Sequence, residues 1–312
     1  MDKLSNKRSF DIIGAPFNQL GWVTTSENTV DGLRRSDMDC WNGLTEWIDI
    51  RNRRWGADIV DTGDVAVSDS VFFSINADKK DRALVEYATD LKERLLESYK
   101  NGRIPITIGG DHAIAVGTLQ ATMEYYQKQQ GKKVAIVWVD AHADCNTLKD
   151  SNLHGKPLAI MMNQYHHNGW SMPKDIEVNP KDVYYVAVRD WMLNEYELKN
   201  ELGMKNYDMP TIDKMGMNKV VEELMEKLEA EYDHIYLSFD YDALDGAMYR
   251  ACATPYVGGL SAREALQLVD TVSSSEKFVG ADFVEYMPER DPTSVSKEVM
   301  VKIIDAIWGY RL

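Results

Sequence analysis

The stretch Val134-Ala-Ile-Val-Trp-Val-Asp-Ala-His-Ala-Asp144 limits the possible folds more than any other part of the chain. Six apolar residues without a break read as a strand covered on both faces, as in the interior of a parallel sheet. The run then stops abruptly in polar residues. If extended geometry continues, Asp140, His142 and Asp144, at i, i+2 and i+4, leave the same side of the backbone and bring two carboxylates and an imidazole together. In open α/β sheets ligands bind at the carboxyl ends of strands. Carboxylates this close need a cation or a shared proton between them, so the strand end reads as a metal site rather than as packing.

Two further apolar runs end in the same way. Ile104 to Ile108 runs into Gly109-Gly110-Asp111-His112, followed by a predicted helix from Ala113 to Tyr126, and Ile235 to Phe239 runs into Asp240-Tyr-Asp-Ala-Leu-Asp245. Phe10 to Gly14, Ala57 to Val60, Val183 to Val188 (ending in Arg189-Asp190) and Phe278 to Val284 (ending at Glu285) read as the remaining strands. Helical spacing of Leu84, Tyr87, Leu91, Leu95 and Tyr99 predicts a helix closed by Asn101-Gly102. Val220 to Glu231 reads as an exposed amphipathic helix. Ser261-Ala-Arg-Glu264 is a capping box opening a helix to Val272, and a last helix runs to about Tyr310. Cys145 to Gly155 reads as a polar loop and the Met-rich stretch Leu158 to Met162 as core. The segment between the first two strands is ambiguous. Strands alternating with helices over the whole length predict a mainly parallel α/β sheet covered on both faces. With no repeat, low-complexity segment or linker, one domain over 1–312 is expected.

Composition narrows the partners. The 312 residues, 44% hydrophobic and 27% charged, suit a globular protein with a large core. A formal net charge of -15 opposes nucleic acid and anionic membrane as partners and favours cations. No apolar run reaches membrane-spanning length, and Met1-Asp-Lys-Leu-Ser-Asn-Lys-Arg8 leads into the first strand without a signal-peptide core, so a cytoplasmic location is expected. Cys40, Cys145 and Cys252 show neither a disulfide framework nor zinc-ligand spacing, and Cys145 adjoins Asp144.

If His112, Asp140, His142, Asp144, Asp240 and Asp242 meet at one sheet edge, their four carboxylates carry about four negative charges, which two divalent cations neutralise. Oxygen-rich ligation with two imidazoles favours manganese or a similar ion over structural zinc. Two ions about 3.5–4 Å apart can hold a bridging water, lower its pKa and supply hydroxide as nucleophile. A nucleotide site at Gly109-Gly110 lacks the phosphate-binding lysine pattern, and a dinuclear phosphoesterase lacks a basic cluster at the strand ends.

Gly109-Gly-Asp-His-Ala113, Asp140-Ala-His-Ala-Asp144 and Ser238-Phe-Asp-Tyr-Asp-Ala-Leu-Asp245 resemble, in order, the three metal motifs of the ureohydrolases, the family of arginase and agmatinase. The resemblance runs from about Gly14 to the C-terminal helix. It implies a three-layer α/β/α fold with an eight-stranded parallel sheet, two manganese ions per subunit, and trimers or hexamers. It also implies that His112, Asp140, Asp144 and Asp240 hold one ion, and Asp140, His142, Asp240 and Asp242 the other. Asn152-Leu-His-Gly-Lys-Pro157 is similar to the arginase segment whose histidine shuttles protons to the leaving amine, which makes His154 catalytic, beside Asp144 and Glu285. Glu285 matches the glutamate that pairs with the guanidinium, and Thr254 a nearby threonine. Asn146 and Asn152 match residues that contact the substrate carboxylate. The chain departs from the pattern at that end: the loop between these asparagines is about three residues shorter, Asp150 stands where a serine is expected, and Met192 stands where arginase has an aspartate facing the α-amino group. Glu195 is the candidate to compensate. Asp245-Gly246 replaces the more usual Asp-Pro. His166, His167 and His234 match nothing and read as surface residues.

The expected activity is hydrolysis of a small guanidino compound, L-arginine first, to urea and an amine, with agmatine or another guanidine as the alternative substrate. A ureohydrolase-like protein that binds metal without turnover is the reading from another class. Intact ligands together with His154 and Glu285 weigh against it.

Overall fold

Eight strands form one sheet in the computed structural model, which describes residues 8–21, 23, 29–37, 42–149, 152–165, 172–291 and 293–309. In chain order they are β1 (Ser9–Ala15), β2 (Asp58–Asp64), β3 (Ile104–Gly109), β4 (Val134–Val139), β5 (Val183–Val186), β6 (Lys205–Tyr207), β7 (His234–Asp240) and β8 (Phe278–Val284). The sheet order is β2-β1-β3-β8-β7-β4-β5-β6, and every pairing is parallel. Parallel pairing requires crossovers, which the helices supply, so both faces are covered.

The pleat of β4 shows how the apolar run is used. Ala135, Val137 and Val139 enter one core, and Val134, Ile136 and Trp138 the other. The first core is closed by the helices Leu44–Trp55, Met217–Glu231, Ala262–Ser273 and Val295–Ala306, the second by Lys80–Lys100, Ala115–Thr122 and Pro157–Met161. The result is three layers, as expected.

Most expected elements occupy their expected places, including the Ser261–Glu264 capping box, whose reciprocal bonds are formed. Four differences have physical causes. The predicted helix from Ala113 to Tyr126 begins as a 3-10 turn at His112–Ile114 and widens into π geometry over Met123–Lys128. The strand expected to reach Val188 ends at Val186, because Ala187 takes a left-handed φ of 73°. Strand β6 has three residues and no apolar alternation; pairing with β5 makes it a strand. The ambiguous segment between β1 and β2 contains the helices Thr29–Arg34 and Leu44–Trp55.

Candidate metal centre and substrate cleft

The site lies at the carboxyl ends of β3, β8, β7 and β4, the four central strands. Extended geometry does not continue past Val139, so Asp140, His142 and Asp144 converge by another route. Asp140 turns the chain by accepting from the His142 amide at 2.7 Å, and Asp144 takes a left-handed φ of 48°. Glu285, directly after β8, is also left-handed with φ 65°. Non-glycine residues in this region carry backbone strain that the surrounding structure must hold, and such strain gathers at functional sites.

Backbone amides and neighbouring side chains aim three of the four carboxylates. Asp240 accepts from the Asp242 amide at 2.8 Å, and Asp242 from the Ala141 amide at 3.2 Å and the Thr254 hydroxyl at 2.9 Å. Trp138 Nε1 donates to Asp140 Oδ2 at 3.1 Å, and its ring stacks on His112 with centroids 4.1 Å apart. His112 Nε2 meets Ser238 Oγ at 2.8 Å, and Ser238 donates to buried Asp282 at 2.5 Å. That fixes the other ring nitrogen toward the acidic cluster.

His112 Nδ1 stands 3.1 Å from Asp140 Oδ2, 3.0 Å from Asp144 Oδ2 and 3.1 Å from Asp240 Oδ2, yet is buried without an in-line hydrogen bond to any of them. His142 Nδ1 stands 3.1 Å from Asp242 Oδ2 and 3.5 Å from Asp140 Oδ1. Two donor sets result, His112 with Asp140 and Asp240, and Asp140 with His142 and Asp242, each compact enough for one ion and sharing Asp140. A buried imidazole nitrogen aimed at a knot of carboxylate oxygens fits divalent cations that favour oxygen and nitrogen donors.

Titration directions express the same crowding. Burial, then the charges of Asp242 and Asp140, hold the Asp240 carboxyl well above its usual range. Burial and the Asp140 charge push Asp144 up to about 6. Burial opposes charge on His112, but the carboxylates of Asp140, Asp144 and Asp240 close around it hold it well above the usual histidine range. Without ions the cluster therefore retains protons that divalent cations would displace.

A cleft of about 150 Å³ opens over these groups, lined by His142, Asp144, Asn146, Asn152, His154, Gly155, Asp190, Met192, Glu195, Asp240, Asp242, Thr254 and Glu285. His154, Thr254, Glu285, Asn146, Asn152 and Glu195 thus share one cleft with four of the metal-ligand candidates, His142, Asp144, Asp240 and Asp242, while His112 and Asp140 lie beneath it. His154 Nδ1 is 3.4 Å from Glu285 Oε1, which also accepts from the His112 amide at 2.9 Å. Burial alone would lower the His154 pKa; the Glu285 hydrogen bond and charge, with help from Asp144 and Asp111, raise it to about 9.

The outer end differs from a ring of free polar groups. Asn146 Nδ2 donates to Met192 Sδ at 2.8 Å, while its Oδ1 accepts from the Leu148 amide at 2.8 Å and Asn194 Nδ2 at 3.2 Å. Glu195 is buried, accepts from the Met192 amide at 3.0 Å as a helix cap, and is raised to about 7 by burial. Thr254 gives its hydroxyl to Asp242. Asp150, Cys40, His166 and His167 lie outside the described residues. His234 is half-buried against Tyr126 at 4.2 Å between centroids, so it is not a plain surface residue. Cys145 and Cys252 are buried free thiols outside the cleft lining.

Two contributors were missed in the sequence. Asp190 lines the cleft with Oδ2 3.7 Å from His142 Nε2, and its place at the polar end of the apolar run Val183 to Val188 was the available signal. Arg189 donates to the carbonyls of Asp242, Leu244 and Tyr256 at 2.8, 3.0 and 2.7 Å, clamping the loop that carries Asp242. Nothing in the local sequence announces that role.

Comparison with known proteins agrees with this geometry. Residues 8–309 match the model of the arginase family. Arginase-1 of Mus musculus is 32% identical over 302 residues, covering 93% of this chain and 88% of that protein. Arginase of Bacillus caldovelox is 31% identical over 272 residues, covering 84% and 88%. The crystal structure of arginase from Bacillus subtilis superposes with a TM-score of 0.83 at 27% identity, covering 98% of this chain and all of that one. The chain belongs to the arginase family, hydrolases that act on guanidino compounds.

Proposed function

We propose that the chain hydrolyses L-arginine with water to urea and ornithine, using two manganese ions held by His112, Asp140, Asp144 and Asp240 and by Asp140, His142, Asp240 and Asp242. The observation that supports this reading is that members of both donor sets, Asp240 from one and His142 with Asp242 from the other, line one cleft with Glu285 and His154. When bound, the ions neutralise the carboxylates and supply a water-derived nucleophile at neutral pH. Glu285 faces the substrate guanidinium and fixes its plane, since a planar cation is best held by a carboxylate opposite it. His154, beside Glu285, moves a proton to the departing amine. Asn146, Asn152, Thr254 and Glu195 surround the outer part of the substrate.

A second substrate, agmatine, has one specific observation in its favour. Among the described lining residues there is no lysine or arginine to meet a substrate carboxylate, whereas Asp190 and Glu195 suit a cationic end. Urea release from arginine, agmatine and guanidinobutyrate, and formamide release from formiminoglutamate, all with added manganese, test the reading. The highest kcat/KM is expected for arginine; a higher value for agmatine would replace it, and no urea from any guanidine would favour a metal-binding protein without turnover. Trimeric or hexameric assembly and a cytoplasmic place belong to the same reading, and sedimentation tests the assembly.

A further inference from the structure

Lys156 is fully buried two residues beyond His154. An ammonium removed from water is kept only where acceptors and favourable charge distributions replace its hydration. Here Nζ donates to the Leu148 carbonyl and lies over the Tyr165 ring, 4.3 Å from its centroid. Leu148 and Lys156 stand on opposite limbs of the loop that carries Asn146, Asn152 and His154. The base of that loop is closed by backbone bonds, Asn146 to the Gly155 carbonyl at 3.1 Å and Leu158 to the Asp144 carbonyl at 3.0 Å. The Leu148 limb lies farther out, where the Leu148 amide bonds Asn146 Oδ1 and so connects directly to a cleft residue.

We propose that Lys156 is a positioning residue, a buried strut that joins the limbs 145–149 and 152–156 and so fixes where Asn146 and Asn152 face the cleft. The inference rests on the reading above that this cleft receives a guanidino substrate. Lys156 does not line the cleft, so it acts through the loop and not by touching substrate.

The test compares the full-length, manganese-loaded protein with K156M, which keeps the stem and loses the donor, and K156R, which keeps a donor. Hydrogen exchange of the amides at 146–148 is expected to quicken by about tenfold in K156M while the central strands keep their protection. KM for arginine is expected to rise about tenfold with kcat changed less than about threefold, because orientation of the outer substrate is lost while the metal chemistry stays. Metal content should remain at two ions, and K156R should restore most of both effects. Wild-type exchange and KM in K156M would overturn the proposal. So would loss of protection across the whole sheet with kcat falling alongside, since that marks general packing. If wild type releases urea from no guanidine, the functional reading fails, and the exchange comparison still decides the strut.

Discussion

His154 and Glu285 are close enough for each to set the other's charge, and that has a measurable pH signature. Despite burial, Glu285 and its acidic neighbours push the His154 imidazole up from 6.5 to about 9, and the His154 contact holds Glu285 below its usual 4.5. A raised imidazole contributes stability fully below 6.5 and loses it as pH climbs through 9; a depressed carboxylate contributes above 4.5 and loses it as pH falls. The pair is therefore strongest between roughly 4.5 and 6.5 and fades toward 9. In Glu285→Gln the His154 imidazole, followed by NMR, is expected to titrate well below the wild-type value; an unmoved titration would detach the two residues. In the loaded enzyme His154→Asn should lower turnover by about 10²–10⁴-fold with both ions retained, the usual worth of positioned proton transfer. Turnover equal to wild type across the pH range would leave His154 a structural residue. Asp240→Ala removes an oxygen 3.1 Å from His112 Nδ1 and leaves like charges facing one another, so elemental analysis should find fewer than two ions. Asp240 was legible because carboxylates and histidines in this order are chemically unusual at strand ends, and His154 and Glu285 were legible through the likeness of their segments to the arginase pattern. The Asn146–Met192 contact was not, because a sulfur turned onto an amide follows from the placement of the Leu193–Leu202 helix and not from spacing.

Gly110 shows how an element positions the site. It follows β3, bonds the Ala15 carbonyl with its amide at 3.0 Å, and gives its own carbonyl to the Glu285 amide at 2.8 Å. A Cβ there would run into the Phe17 carbonyl and Asn18 side chain. Gly110→Ala is expected to lower stability by about 1–3 kcal/mol, the usual cost of forced overpacking, and to weaken guanidine binding by moving Glu285. Denaturant unfolding beside KM checks both halves; an unaltered midpoint would mean the β1–β3 junction yields freely. The glycine pair, the strand ends and the capping box could be read early because each is a local rule. Strand β6 and the left-handed residues Asp144, Ala187 and Glu285 could not, since neighbouring strands and loops impose them.

Across the whole molecule, the proposed pair of ions is expected to make stability depend on metal, through the buried acidic cluster. A ligand that binds only the folded state stabilises it by about 2.7 kcal/mol at a hundred times its dissociation constant. Chelation should therefore lower the melting temperature and manganese restore it, with Asp240→Ala showing little of either response; equal melting with and without chelator in wild type would deny that the ions bind the folded form. The three-layer architecture was readable from the alternation of apolar runs and helices, because parallel pairing leaves few alternatives. Which loop ends face one another was less so, as with Arg189, whose partners lie more than fifty residues away along the chain.

The distribution of ligands over β3, β4 and β7 also bears on how a newly made chain matures. His112, Asp140, His142 and Asp144 emerge within one strand–helix–strand unit, but Asp240 and Asp242 follow only after β5 and β6 have been made. Because β7 inserts between β4 and β8, the halves of the site meet only when the centre of the sheet is zipped. Neither proposed ligand set is complete before Asp240 is made, so full loading with ions is expected to follow the closing of the sheet.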